Sequence, residues 1–449
     1  MPHPYLDAAR AAGVLFAGAA TADITPQQSL HLAGYPHVSR NSTGVHDPLL
    51  SSALCLESDG QRVLFIANDI IYVPKAMVAR ARQRIAKATG VPEGHILISA
   101  THTHSGPKTL DPLATSADTV VPKADADYLR FLEDRIVEAG TRAADDPVPA
   151  EIGLAIGDAT GVGANRRDPK GAKDLAVPVM MVRTLEHQPL AMMLVCSMHP
   201  TVLHEDSTLI SGDFPGLARL RIQESVGQIP VLYHTGPAGN QSPRHVVKAN
   251  TVAEAERLGN ILADVVVRAA GSIRYTRQID LECRRTYVAL PLRSFASDAE
   301  AGEQLRRATA RLQELQESGA AKTDVRTAEV DLFGAEETAT LAREAASGRV
   351  NAAAESCMPA EIHAILVGPW IFIAWPGEMF VEFSLQIKRR IMNSFPISYA
   401  NGELQGYLVT QEAADEGGYE SSNAIFKSPE SGEMLVNATV ELLKDRCDS

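Results

Sequence analysis

Two histidines stand two residues apart in Ser99-Ala100-Thr101-His102-Thr103-His104-Ser105-Gly106-Pro107, directly after the apolar run Ile96-Leu97-Ile98. On an extended strand residues i and i+2 share a face, so the spacing predicts two imidazoles projecting together from a strand end. Imidazole is the commonest protein ligand for metals. A lone buried histidine is ordinarily a hydrogen-bonded structural residue. This pair, flanked by Thr and Ser and closed by Gly-Pro, points instead to a metal or catalytic site.

Other segments carry groups of a compatible kind. His199 follows a strongly apolar run and opens Met198-His199-Pro200-Thr201-Val202-Leu203-His204. Its position suits a rigidly held ligand, and His204 reads as a more exposed supporting residue. Asp213, in Ser211-Gly212-Asp213-Phe214-Pro215-Gly216, has two readings: it fixes the tautomer of a ligand histidine, or it caps a helix starting near Pro215. The glycine-rich run from His234 to His245 lets backbone approach a ligand closely. Within it Ser242 is a nucleophile, a proton relay or a plain turn serine, and His234 and His245 read as structural. Glu378, in Ala374-Trp375-Pro376-Gly377-Glu378, is a turn carboxylate after an apolar strand. It is costly to bury without a cation, and ordinary if it faces solvent. Tyr407 and Tyr419 lie in Gly406-Tyr407-Leu408 and Gly418-Tyr419-Glu420, where packing plus one hydrogen bond is the usual role. Arg166, in Ala164-Asn165-Arg166-Arg167, offers a guanidinium to a substrate oxygen or carboxylate, or is simply exposed.

The elements that must position these residues alternate between short apolar runs and helical patterns. Strands are expected at 63–67, 96–99, 177–183, 190–197 and 231–233, with a hairpin at 362–367 and 370–374 turning on Gly368-Pro369. Helices are expected at 74–89, 128–144, 217–226 and 253–270. The polar residues singled out above fall at strand ends, where ligand sites of α/β folds gather. From Asp298 to Ser347 the chain is rich in Ala, Glu, Arg, Gln and Leu, with Leu305, Leu312 and Leu315 at helical spacing. This segment reads as a helical hairpin on the surface; its place between two core segments also suits a lid.

The 449 residues, 45% hydrophobic, allow one large or two ordinary domains, and the even texture favours one continuous domain over 1–449 with a helical insertion at about 298–348. A net charge of −13 argues against a nucleic-acid partner. Five scattered cysteines (Cys55, Cys196, Cys283, Cys357, Cys447) show no paired metal spacing and suit a reduced, cytoplasmic setting. The run Met1-Pro2-His3-Pro4-Tyr5-Leu6-Asp7 lacks the basic-then-apolar pattern of a secretion signal. No apolar run approaches the ~20 residues that cross a bilayer.

Taken together, these segments resemble the neutral ceramidase family and occur in its order. The resemblance starts at Ala17-Gly18-Ala19-Ala20-Thr21-Ala22-Asp23-Ile24-Thr25-Pro26 and runs through the His-Thr-His-Ser-Gly-Pro segment, the Asn-Arg pair, His-Pro-Thr and Gly-Asp-Phe-Pro-Gly. It ends with the Ser-Pro loop, the Pro-Gly-Glu turn and the two late tyrosines. It implies an α/β fold of mixed β-sheets flanked by helices. It also implies a zinc amidase that hydrolyses the N-acyl bond of ceramide, a step of sphingolipid metabolism. By motif, the zinc ligands are His102, His199, Glu378 and Tyr407; His104, Arg166 and Tyr419 surround the scissile carbonyl, and Ser242 matches the active-site serine. The expected reaction is attack on an N-acyl amide or lipid-like substrate by metal-activated water. An ester or lactone hydrolase on the same scaffold and a non-catalytic metal-pocket protein are the alternatives. Gly239-Asn240 stands where the family pattern has Gly-Asp, and neither a C-terminal immunoglobulin-like domain nor a secretion signal is expected.

Overall fold

The computed structural model describes residues 13–447. The amino-terminal run read above for a secretion signal lies outside the described residues. One large sheet is built in chain order from β1 (Phe16–Asp23), β2 (Leu50–Ser58), β3 (Gln61–Asn68), β4 (Ile96–Ala100), β5 (Val148–Asp158), β6 (Ala176–Thr184), β7 (Pro189–Cys196) and β8 (Val231–Thr235). Their spatial order is β8-β7-β6-β5-β1-β2-β3-β4. The central pairings are antiparallel, while β7–β8 and β3–β4 at the two edges are parallel. A second sheet holds β9 (Leu281–Val288), β10 (Ala360–Val367), β11 (Trp370–Ala374) and β12 (Ser394–Ile397) in that order.

Side-chain alternation explains why the two sheets stack. Along β3, Val63, Phe65 and Ala67 face one core and Leu64 and Ile66 another. Along β11, Phe372 and Ala374 face the core shared with β3, and Ile371 and Ile373 face away. The Phe65 and Phe372 rings meet edge to face at 5.4 Å between the sheets. A strand apolar on both faces needs cover on both, and helices supply it. Helices α1 (Lys75–Thr89) and α2 (Ala126–Asp145) cover one end of the large sheet. Helices α3 (Asp213–Val226) and α4 (Val252–Ala270) cover the other. The outer face of the small sheet packs on α7 (Arg349–Cys357), α8 (Val381–Arg390) and α9 (Ser428–Leu442). The fold is thus a layered α/β structure of mixed sheets flanked by helices.

The segment between β9 and β10 forms α5 (Asp298–Glu317) and α6 (Lys322–Ala346). Ser297 and Glu300 make a reciprocal capping box that starts α5. Helix α6 is not a mere surface element: it reaches the cleft described below. The hairpin expected at Gly368-Pro369 forms, with Val367 opposite Trp370 and Gly368 at φ +56°. No helix among the described residues is long and apolar enough to cross a membrane.

Candidate functional site

Five strands end in one region and deliver the site. β4 leads to His102 and His104, β7 to His199, β8 to the glycine-rich loop, β11 to Glu378 and β12 to Tyr399. The two histidines of the first motif do not project from a strand. β4 stops at Ala100, and His102 has φ +65°, a left-handed backbone that only a determined surrounding holds. The imidazoles still meet, with their Nε2 atoms 3.2 Å apart, because the chain turns rather than because it pleats.

His102 and His199, 97 positions apart, bring their Nε2 atoms to 3.0 Å. His102 Nδ1 donates to the Ile71 carbonyl and His199 Nδ1 to the Ala238 carbonyl, each at 2.8 Å. A proton fixed on Nδ1 leaves Nε2 a bare lone pair. Glu378 Oε2 lies 3.7 Å from one Nε2 and 3.6 Å from the other. These acceptors face one another inside the protein and repel unless a cation lies among them. The donor set therefore fits a metal ion, and His102, His104 and His199 together form a group able to hold one. Burial and mutual proximity push the His199 and His104 imidazoles well below the usual histidine range, so they are neutral and competent to bind.

His104 differs from the other two imidazoles. Its Nδ1 is buried without a hydrogen-bond partner among the described residues, against Gly34. A Cβ on Gly34 would stand 2.3 Å from that nitrogen, and Gly34 has φ +100°, so only glycine fits. With no acceptor at Nδ1, the tautomer of His104 is unlocked. Arg40, fully buried, donates to the His104 and Ala33 carbonyls at 2.9 Å and fixes this loop.

Glu378 does not face solvent; it is buried. A short parallel bridge sets Glu378 beside Tyr407 and Met379 beside Leu408, which brings the tyrosine to the metal group. The Tyr407 ring lies 6.5 Å from the His199 ring and 5.9 Å from that of Tyr419. Tyr419 therefore sits one ring farther out. Arg166 is not free on the surface: its guanidinium lies 5.1 Å from the Tyr407 ring, and Nε donates to Glu420 at 2.8 Å. Its Nη2 is buried without a hydrogen-bond partner among the described residues. Arg167 also pairs with Glu420, at 3.0 Å.

Three readings of the sequence need correction. No hydrogen bond joins Asp213 to a histidine among the described residues; it accepts the backbone N–H groups of Val202, Leu203 and Phe214 and begins α3 itself. The strand-face argument for His102 and His104 fails, as described above. The helical hairpin is not confined to the surface, because Glu337 of α6 lines the cleft. Ser242 is buried, and its Oγ accepts the Arg244 N–H at 3.2 Å as the cap of a short turn; no hydrogen bond joins it to a histidine among the described residues. His234 binds Ser99 Oγ at 2.7 Å and is structural; His245 contacts the Arg166 carbonyl at 3.2 Å; His204 lies beside Tyr35 and Glu205. Asn240 donates to both carboxylate oxygens of Glu382, at 3.1 and 2.8 Å, where an aspartate would repel.

Two further tyrosines, outside the motifs singled out in the sequence, belong to the site. Tyr72 donates to Glu378 Oε1, and Tyr399 stacks on His102 at 3.9 Å between centroids. Each follows an apolar strand run, as the other site residues do, and that was the available signal. The metal group opens on a cavity of about 950 Å³, counting solvent at its mouth. Leu32, Pro36, Ile71, Leu110, Pro112 and Val121 line its apolar wall.

Residues 16–235 match the family model for neutral/alkaline non-lysosomal ceramidase, N-terminal. Over this segment, about half of the chain, the sequence is similar to the neutral/alkaline ceramidase family. Neutral ceramidase A of Dictyostelium discoideum is 26% identical over 250 residues, 51% of this chain and 35% of that protein. Neutral ceramidase of Mycobacterium tuberculosis is 28% identical over 238 residues, 48% of this chain and 36% of that protein. The matches thus span about a third of these curated ceramidases. The crystal structure of neutral ceramidase from Pseudomonas aeruginosa superposes with a TM-score of 0.74 at 18% identity, covering 97% of this chain and 76% of that one. The ceramidase fold therefore extends over nearly the whole chain.

Proposed function

We propose that this chain is a zinc-dependent amide hydrolase of the neutral ceramidase type, cleaving the N-acyl bond of ceramide or a related N-acyl amide. The observation that carries this reading is the convergence of two tautomer-locked imidazoles on one buried carboxylate at an apolar cavity. His102, His199, Glu378 and Tyr407 would hold the ion, a set of nitrogen and oxygen donors suited to zinc. Bound there, zinc supplies Lewis acidity toward water and toward a carbonyl oxygen.

The remaining steps fall to the chain's own groups. Arg166 presents an unpaired Nη2 beside Tyr407, and with Tyr419 it would face the oxygen on which negative charge develops. Glu420 keeps that guanidinium from swinging away, and His245 contacts the Arg166 backbone carbonyl. An amide nitrogen leaves only when protonated. His104, neutral and with an unlocked tautomer, is the group suited to take a proton from water and return it to nitrogen. Ser242 Oγ lacks a histidine partner among the described residues, which favours attack by water over a covalent acyl-serine.

The test is a screen of N-acyl amides of varied chain and head group, with metal measured on the same sample. Hydrolysis in proportion to bound zinc supports the reading; metal-free protein with full activity overturns it. His104→Ala separates amide from ester chemistry, since an alkoxide leaves with less help than an amine. Amide cleavage is expected to fall much further than ester cleavage in this variant.

A further inference from the structure

We propose that Glu337 reads the polar head of the substrate, binding a hydroxyl on the amine half of an N-acyl amino alcohol. The proposal builds on the amidase reading above. Glu337 lies on α6, outside every segment that supplies the metal group. Its side chain is 5% exposed and lines the same cavity as His102, His104, Glu378 and Tyr407. Asn423 hydrogen-bonds the carboxyl, but Oε2 is buried without a partner among the described residues. A buried polar atom left unpaired destabilises the free protein, and a ligand group that completes it recovers that loss.

Helix α6 is held in place on both sides of Glu337. A Cβ on Gly334, one turn before Glu337, would stand 3.4 Å from Ser422 and from Tyr419, so α6 packs tightly on the site's outer tyrosine. The adjacent Glu336 contacts His37 Nε2 at 2.9 Å and ties the helix to the loop beyond Gly34. No arginine or lysine pairs with Glu337 among the described residues. Burial, with the Glu378 carboxylate nearby, raises its carboxyl to about 8. At neutral pH it is therefore a carboxylic acid, with one hydrogen to donate and a carbonyl to accept. That is the complement of a hydroxyl; an alkyl group leaves the same atoms unsatisfied.

The experiment compares two substrates with the same acyl chain, an N-acyl amino alcohol and an N-acyl alkylamine. Wild type, E337Q and E337L are assayed on both. E337L is expected to lower kcat/KM for the amino alcohol by roughly 10–100-fold, and for the alkylamine by less than about 3-fold. E337Q, which keeps a donor and an acceptor, is expected to recover most of the difference. Equal losses on both substrates overturn the proposal while leaving the amidase reading intact. If wild type hydrolyses neither substrate, the amidase reading fails, and calorimetry with the free amino alcohol decides. Binding about tenfold weaker in E337L supports the proposal; equal binding by all three proteins, or none by wild type, overturns it. Melting temperatures report folding, and replacing a buried carboxyl that has one oxygen unpaired and no cation beside it with leucine is expected to preserve it.

Discussion

Two buried clusters in this molecule combine histidine with glutamate, and they behave differently. In one, Arg82 donates to both oxygens of Glu361 at 2.8 and 2.9 Å, and Asn401 bridges Glu361 and His363. A third Arg82 bond reaches the Ile96 carbonyl at 2.8 Å. Positive charge is resident there. In the other, His102, His199 and Glu378 turn only acceptors toward one another, and the neighbouring guanidinium of Arg166 is engaged by Glu420. Residue types alone do not distinguish the two. A cluster becomes able to hold a metal when its lone pairs converge and no side chain supplies the cation.

The sharpest way to break this contrast is to remove a ligand from the second cluster. His199→Ala or Glu378→Ala is expected to take bound metal and hydrolysis to background together, read by emission spectroscopy and turnover. Breaking the first cluster has the opposite signature. Arg82→Leu strands Glu361 in the core and is expected to cost about 3–5 kcal/mol in urea unfolding, with metal per folded molecule unchanged. Arg166→Ala is expected to lower kcat on the order of 10²–10³-fold, as for a lost oxyanion donor, without loss of metal.

Two smaller effects sharpen the comparison. Glu337 holds a proton in the folded state, with its carboxyl at about 8 against the ordinary 4.5. Between those pH values the folded chain binds more protons than the unfolded one, so stability falls as pH rises through the window. In E337Q that contribution disappears, and its melting temperature is expected to drop less than that of wild type from pH 5 to 9. Lastly, intact-mass measurement with a slow substrate is expected to show no acyl adduct on Ser242. An adduct would move the chemistry from the metal cluster to the serine loop.

Much of the scaffold was legible because apolar runs report burial directly. The run at 63–67 forms the middle of β3, and the pattern at 253–270 forms α4 with a Thr251 cap. β1 and β5 were harder to see. Ala and Gly dilute β1, and Ile156 of β5 is exposed, so neither shows a clean period. Tyr72 and Tyr399 escaped because a tyrosine after a strand looks like packing until its hydroxyl partner is known. Glu337 escaped for a related reason: on a charged amphipathic helix, one glutamate among several reads as solvated.

From residue order alone came the layered α/β class, the strand ends that carry polar residues, and the motif likeness to ceramidases. These follow from local periodicity and from residue identity, which need no partner. The shared point of His102, His199 and Glu378, the left-handed turn at His102, the anchoring role of Asp213 and the inward face of α6 were decided by tertiary structure. Each depends on which atoms from distant segments exclude water together. That is a property of packing, and no local pattern encodes it.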